Sequence, residues 1–138
     1  MRFWDSSALV PLIVEEGTSD ELMALYPEDQ VAVWWGTEVE CASAVARLER
    51  EGALDVQAAT AALRELARLA RGWLLVEPSS AMKESATRLL RTHDLRAADS
   101  LQLAAALVAA EHRPASLEFI CRDRRLLVAA EREGLVVL

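Results

Sequence analysis

Short apolar runs alternate with helix-patterned segments along the whole of this chain, and that alternation restricts the fold more than any other feature. The runs are residues 2–4 (RFW), 31–34 (VAVW), 73–76 (WLLV), 117–121 (LEFIC) and 135–138 (LVVL). Between them the 3.6-residue spacing predicts helices over residues 7–15, 18–25, 37–50, 55–71, 80–92, 96–111 and 124–132. Short apolar strands separated by helices pair in parallel and need cover on both faces. The expectation is an α/β domain, a three-layer α/β/α stack with a central, mainly parallel sheet. Gly17, Gly52 and Gly72 are placed as helix stops, Pro27 near the end of the second helix, and Asp55 as an N-cap.

At 138 residues the chain fits a single domain over 1–138 with a proper core. Hydrophobic residues make up 53% and charged residues 27%, a globular balance rather than a disordered one. A net charge of −7 means the surface as a whole repels polyanions. A nucleic-acid ligand would need a local basic patch or bridging metal ions. Lys83 is the only lysine, so the basic side chains are almost all arginine, most of which composition bias explains. Cys41 and Cys121 lie in apolar segments and read as small core residues of a reducing compartment. No basic region followed by a long apolar stretch opens the chain, so no signal peptide is expected. No apolar run approaches membrane-spanning length. A cytoplasmic protein without membrane contact is the expectation.

Four acids stand out. Asp5 ends the first strand, and in open α/β sheets ligands sit outside the carboxyl ends of strands. Asp123 follows the strand LEFIC in the same way, although Asp at that point also makes a good N-cap. Asp99 lies in the first turns of a helix that is apolar nearly all round, on a stripe with Leu103, Ala106 and Ala110. A carboxylate pointed into protein needs compensation from an Arg, from helix N-terminal donors or from a metal. Glu38 and Glu40 open the helix TEVECASAVARLER. Glu40 stands at capping-box spacing from Thr37. Periodicity slightly favours Glu38 as the inward acid and does not decide.

The stretches WDSSALV, EVECASAVARLEREG, LRAADSLQLAAAL and FICRDRRLLVAAEREGLVV together resemble the PIN domain family, and within it the VapC-type toxins of toxin–antitoxin pairs. The resemblance covers essentially the whole chain. It implies a PIN-like fold and a catalytic, metal-binding quartet of Asp5, Glu40, Asp99 and Asp123. The E-x-x-S-A-x-x-R pattern is matched by Glu40, Ser43, Ala44 and Arg47, which selects Glu40 over Glu38. Two positions depart from the family pattern, Cys121 for Ser or Thr and Gln102 for His, and neither is expected to touch the four carboxylates.

Hard oxygen donors suit Mg²⁺ or Mn²⁺. Neither His93 nor His112 has a Cys or His at ligand spacing, which argues against zinc. The expected chemistry is phosphodiester hydrolysis by metal-activated water. The resemblance adds an RNA substrate, products with 5′-phosphate and 3′-hydroxyl ends, a small cognate antitoxin and a homodimer. Asp5 and Asp99 are expected to contact metal directly, Glu40 to bind it or orient water, and Asp123 to complete a second site. Ser6 or Ser7 is expected to support Asp5. Arg96, Arg122, Arg124 and Arg125 lie beside these acids and are either phosphate ligands or a solvated edge. Trp34 and Trp35 read as core or interface before a base-stacking face. The stripe Leu63, Leu66, Ala67, Ala70 serves a partner or the core.

Two other classes are weighed against this. A phospho-receiver wants adjacent acids after its first strand and a Lys after its fifth; here Asp5 stands alone, Glu77 follows the third strand and Lys83 is in a helix. A haloacid-dehalogenase-like phosphatase wants an Asp where Ser7 stands. A catalytically weak PIN-fold binding module stays open.

Overall fold

In the computed structural model, which describes residues 1–15, 19–26 and 30–138, five strands form one sheet in the order β3-β2-β1-β4-β5. The strands are β1 (Arg2–Trp4), β2 (Val31–Trp34), β3 (Leu74–Val76), β4 (Glu118–Ile120) and β5 (Val136–Val137). Every neighbouring pair is parallel. The helices are α1 (Ser6–Ile13), α2 (Ser19–Leu25), α3 (Thr37–Arg50), α4 (Val56–Ala70), α5 (Ser80–Thr92), α6 (Ala97–Ala109) and α7 (Arg124–Arg132). A short 3-10 turn at Pro114–Ser116, for which the sequence patterns give no expectation, leads into β4.

Strand alternation builds the three layers. Phe3, Ala32, Trp34 and Phe119 face one side and pack with Met82, Leu89, Leu103 and Leu126 of α5, α6 and α7. Trp4, Val31, Val33 and Ile120 face the other and pack with Leu9, Leu22, Cys41 and Leu66 of α1 to α4. Phe3 and Phe119 stack across the β1–β4 pair with ring centroids 5.7 Å apart. The helix expected to be apolar all round is α6, whose residues Leu103 to Ala106 are fully buried. Both cysteines are free and buried.

The expected boundaries shift by a residue or two. Helix α1 starts at Ser6 because Asp5 caps it, its carboxylate accepting from the Ser7 N–H at 3.0 Å. Asp55 caps α4 as expected, accepting from the Ala58 N–H. Arg96 is the cap of α6 rather than its first residue. Trp73 lies outside β3; its indole N–H turns back to donate to the Tyr26 hydroxyl at 3.0 Å. Gly52 takes the left-handed conformation, φ +80°, that ends α3. Gly17 and Pro27 lie outside the described residues. Among the described residues no helix is long and apolar enough to cross a membrane.

The strand order decides where a site can form. Strands 2 and 3 lie to one side of β1, and strands 4 and 5 to the other, so the order reverses between β1 and β4. A crevice opens outside the carboxyl ends of the strands at such a switch point. The order also sets aside the phospho-receiver reading, since that fold runs 2-1-3-4-5.

Candidate active site

Asp5 and Asp123 follow β1 and β4, the two strands that flank the switch point. Glu40 reaches in from the first turn of α3, and Asp99 from the first turn of α6. All four line one cleft of about 440 Å³, together with Ser6, Ser7, Val10, Ser43, Ala44 and Arg47. Glu38 is exposed on α3 and lines a separate groove, so the inward acid is Glu40. The capping-box reading of Glu40 also fails. Gly36 is the N-cap of α3, without a side-chain cap hydrogen bond, and Thr37 is buried against α6.

Asp5 and Asp123 cap α1 and α7, and Asp99 reaches back to the cap residue of α6, which locks the three rotamers. Asp5 Oδ2 accepts from the Ser7 N–H and from the Ser7 hydroxyl at 2.5 Å. Asp99 Oδ2 accepts from the Arg96 N–H at 3.2 Å, and Asp123 Oδ1 from the Leu126 N–H at 3.1 Å. Glu40 Oε2 accepts from the Ser6 hydroxyl and from Gln102 Nε2, both at 3.1 Å. The two serines thus divide their work: Ser7 holds Asp5, and Ser6 holds Glu40. The Ser7 hydroxyl also accepts from the Arg122 N–H at 2.9 Å, tying the β1 end to the β4 end. No side-chain donor among the described residues reaches Asp5 Oδ1, Glu40 Oε1, Asp99 Oδ1 or Asp123 Oδ2. Each carboxylate spends one oxygen on the fold and keeps the other.

The charge on these acids is poorly compensated. Among the described residues no ion pair involves any of the four. Asp5 is 3% exposed, and its burial pushes the carboxyl above the usual carboxylate range against the pull of its Ser7 and Cys121 hydrogen bonds. Burial raises Glu40 as well; the negative fields of Asp5 and Asp99 add to it, while Gln102 and Ser6 oppose it. Uncompensated carboxylates with spare hard oxygens are the donor chemistry of a Mg²⁺ or Mn²⁺ site. As the side chains stand, no three Asp, Glu, His or Cys residues among those described are placed to hold a single ion.

Both departures from the family pattern do touch the carboxylates, contrary to expectation. Gln102 is buried on α6 and donates through Nε2 to Thr37 Oγ1 as well as to Glu40, while its Oε1 has no partner. Cys121 Sγ lies 3.6 Å from Asp5 Oδ2 and accepts from the Asp123 N–H at 3.2 Å, bridging the two strand-end acids. Their apolar neighbours in sequence gave no sign of this, because polar residues on buried faces find partners only through docking. Gln102→Met keeps the volume and removes the donor. It removes a hydrogen bond that lowers the Glu40 pKa, and is expected to raise that pKa further, measured by NMR titration of the side-chain carboxyls. An unmoved Glu40 titration would show that Gln102 only fills space. Trp34 is buried in the core while Trp35 is 53% exposed, and neither lines the cleft.

No protein-family model and no curated protein matches the chain. Solved structures do. A toxin–antitoxin complex from Klebsiella pneumoniae superposes with a TM-score of 0.66 at 17% identity, over 100% of this chain and 96% of that one. The protein PAE2754 from Pyrobaculum aerophilum gives 0.65 at 21% identity, over 99% and 82% of the two chains. FitAcB from Neisseria gonorrhoeae gives 0.66 at 16%, over 100% and 96%. These likenesses show the fold. It is the three-layer α/β/α stack with a parallel central sheet expected from the sequence, shared over 99–100% of this chain and 82–96% of each neighbour.

Proposed function

We propose that this chain is a Mg²⁺- or Mn²⁺-dependent endoribonuclease, the VapC-type toxin of a toxin–antitoxin pair. One observation carries the reading: four acids spread from residue 5 to residue 123 line a single cleft at the switch point, each with one oxygen left over. That a toxin–antitoxin complex shares the fold supports it. Asp5 and Asp99 would hold the cation, with Asp123 completing the donor set. A bound divalent ion would screen the carboxylates from one another and supply Lewis acidity toward phosphoryl oxygens and water. Glu40, raised in pKa and with Oε1 facing no donor, is suited to orient the attacking water and take its proton. Cleavage would leave 5′-phosphate and 3′-hydroxyl ends.

The proposed protein partners are a small antitoxin and a second copy of the chain. Support comes from an exposed apolar groove lined by Trp35, Val39, Leu63 and Leu75. The expected stripe on α4 is split: Leu66 faces the core, and Leu63, 41% exposed, faces outward.

A second reading, a PIN-fold binding module, draws on the acids not being gathered around one ion. Induced expression separates the two. The wild type is expected to arrest growth and to cleave cellular RNA in extracts only with Mg²⁺ or Mn²⁺, and Asp99→Ala to do neither. Equal arrest by wild type and Asp99→Ala would favour the binding module.

A further inference from the structure

We propose that Arg96, Arg124, Arg125 and Arg132 form a phosphate track that leads a single RNA strand out of the acid cleft and across the start of α7. The proposal deepens the nuclease reading and rests on it. Three cavities share walls in sequence. Asp99 and Asp123 line both the acid cleft and a neighbouring cavity of about 500 Å³, whose other walls are Arg96, Arg122, Arg124 and Arg125. Arg124 and Arg125 also wall a third cavity of about 290 Å³, which ends at His93 and Arg132. The shared walls make one trough, acidic at its inner end and lined beyond Asp123 mainly by arginines, with Asp94 the one carboxylate among them, on a chain whose net charge is −7.

These arginines are not explained by the fold. Arg122 is, and it is left out of the track: it pairs with Glu21 and donates to the carbonyls of Cys121 and Leu138. Arg96, Arg124 and Arg132 are exposed, and among the described residues no carboxylate lies within ion-pair distance of them. Arg125 reaches Asp94 only at 3.9 Å, both side chains being largely exposed. Arg124 and Arg125 occupy the first turn of α7, where the helix dipole disfavours cations. Side chains kept there against local electrostatics suit a ligand with negative charge of its own. Arginine forks match phosphate oxygens, and no Phe, Tyr or Trp lines this part of the trough, whose one ring, His93, is held by Glu133, so it would follow the backbone without reading bases. A single strand fits better than a duplex because Asp5, 3% exposed, is reached only by a backbone that enters the cleft.

The test is fluorescence anisotropy of a labelled, mixed-sequence single-stranded RNA with the full chain in EDTA, where no cleavage occurs. Each lost phosphate contact removes about 0.7 from the slope of log affinity against log salt. The Arg124→Ala/Arg125→Ala/Arg132→Ala variant is expected to lose about 2 in that slope and at least about tenfold in low-salt affinity. Its melting temperature should stay close to that of the wild type, since the relief of two cations leaving the start of α7 offsets the loss of Arg132 from its last turn. Arg64→Ala/Arg71→Ala, on the opposite face, should bind as the wild type does. An unchanged slope in the triple variant, no RNA binding by the wild type, or displacement of RNA by polyglutamate at matched charge would each overturn the track. Cleavage assays with Mn²⁺ keep the two ideas apart. Wild type that binds with this slope but does not cut sinks the nuclease and keeps the track. Wild type that cuts while the triple variant binds unchanged does the reverse.

Discussion

Asp5→Asn is expected to lower RNA cleavage by at least about 10³-fold and, in EDTA, to melt at a higher temperature than the wild type. The two effects share one cause. Asp5 is a buried carboxylate without a cationic partner, held above its ordinary pKa by desolvation. Asparagine keeps an oxygen to accept from the Ser7 N–H and hydroxyl, so the cap of α1 survives. What disappears is the buried charge, which the fold bears at a cost. Gains of this kind at functional positions run to about 1 kcal/mol, or roughly 3–5 °C for a domain of this size. The charge is also what would bind the cation, and losing several kcal/mol of metal-derived stabilisation is thousands-fold in rate. Gel-based cleavage and a thermal melt decide it. A variant that cuts normally, or one that melts lower in EDTA, would show that Asp5 belongs to the scaffold and not to the chemistry.

Mn²⁺ or Mg²⁺ should raise the melting temperature of the wild type, and raise it more near neutral pH than at about pH 5. The sign follows from Asp5 and Glu40, whose folded pKa values both lie above their unfolded ones. As pH rises through the ordinary carboxylate range, the unfolded chain releases these protons first. Stability present at low pH is therefore lost until pH passes the raised folded values. The cation binds only the deprotonated site, so it restores stability where the protons have gone. At a hundredfold excess over Kd the gain is about 2.7 kcal/mol, on the order of 10 °C. Asp5→Asn should show little of this shift at either pH. A shift of equal size at both pH values, or one retained in Asp5→Asn, would place cation binding elsewhere on the surface.

The layers were legible because strand alternation and helix periodicity are local. Phe3 and Trp4 face opposite sides of the sheet as period two demands, and the apolar run within α6 is buried as an all-round apolar helix must be. Asp55 caps α4 where a side-chain acceptor precedes a helical pattern. Candidate acids were legible too, since Asp5 and Asp123 follow strands and Asp99 opens a buried helix. Periodicity failed at Glu38 and Glu40. Both stand in the first turn of α3, where its apolar spacing does not separate them, and the choice is made by what α3 docks against, namely Ser6 and Gln102.

From residue order alone came the elements, their two-sided burial and the acids worth watching, because each depends on neighbours within a turn or a strand. Tertiary structure alone decided that β1 and β4 are adjacent, that Gln102 holds Glu40, and that Cys121 bridges Asp5 and Asp123. These partners are separated by up to 116 positions in the chain. Hydrogen bonds across such separations are set by how helices settle on the sheet, and no local pattern encodes that.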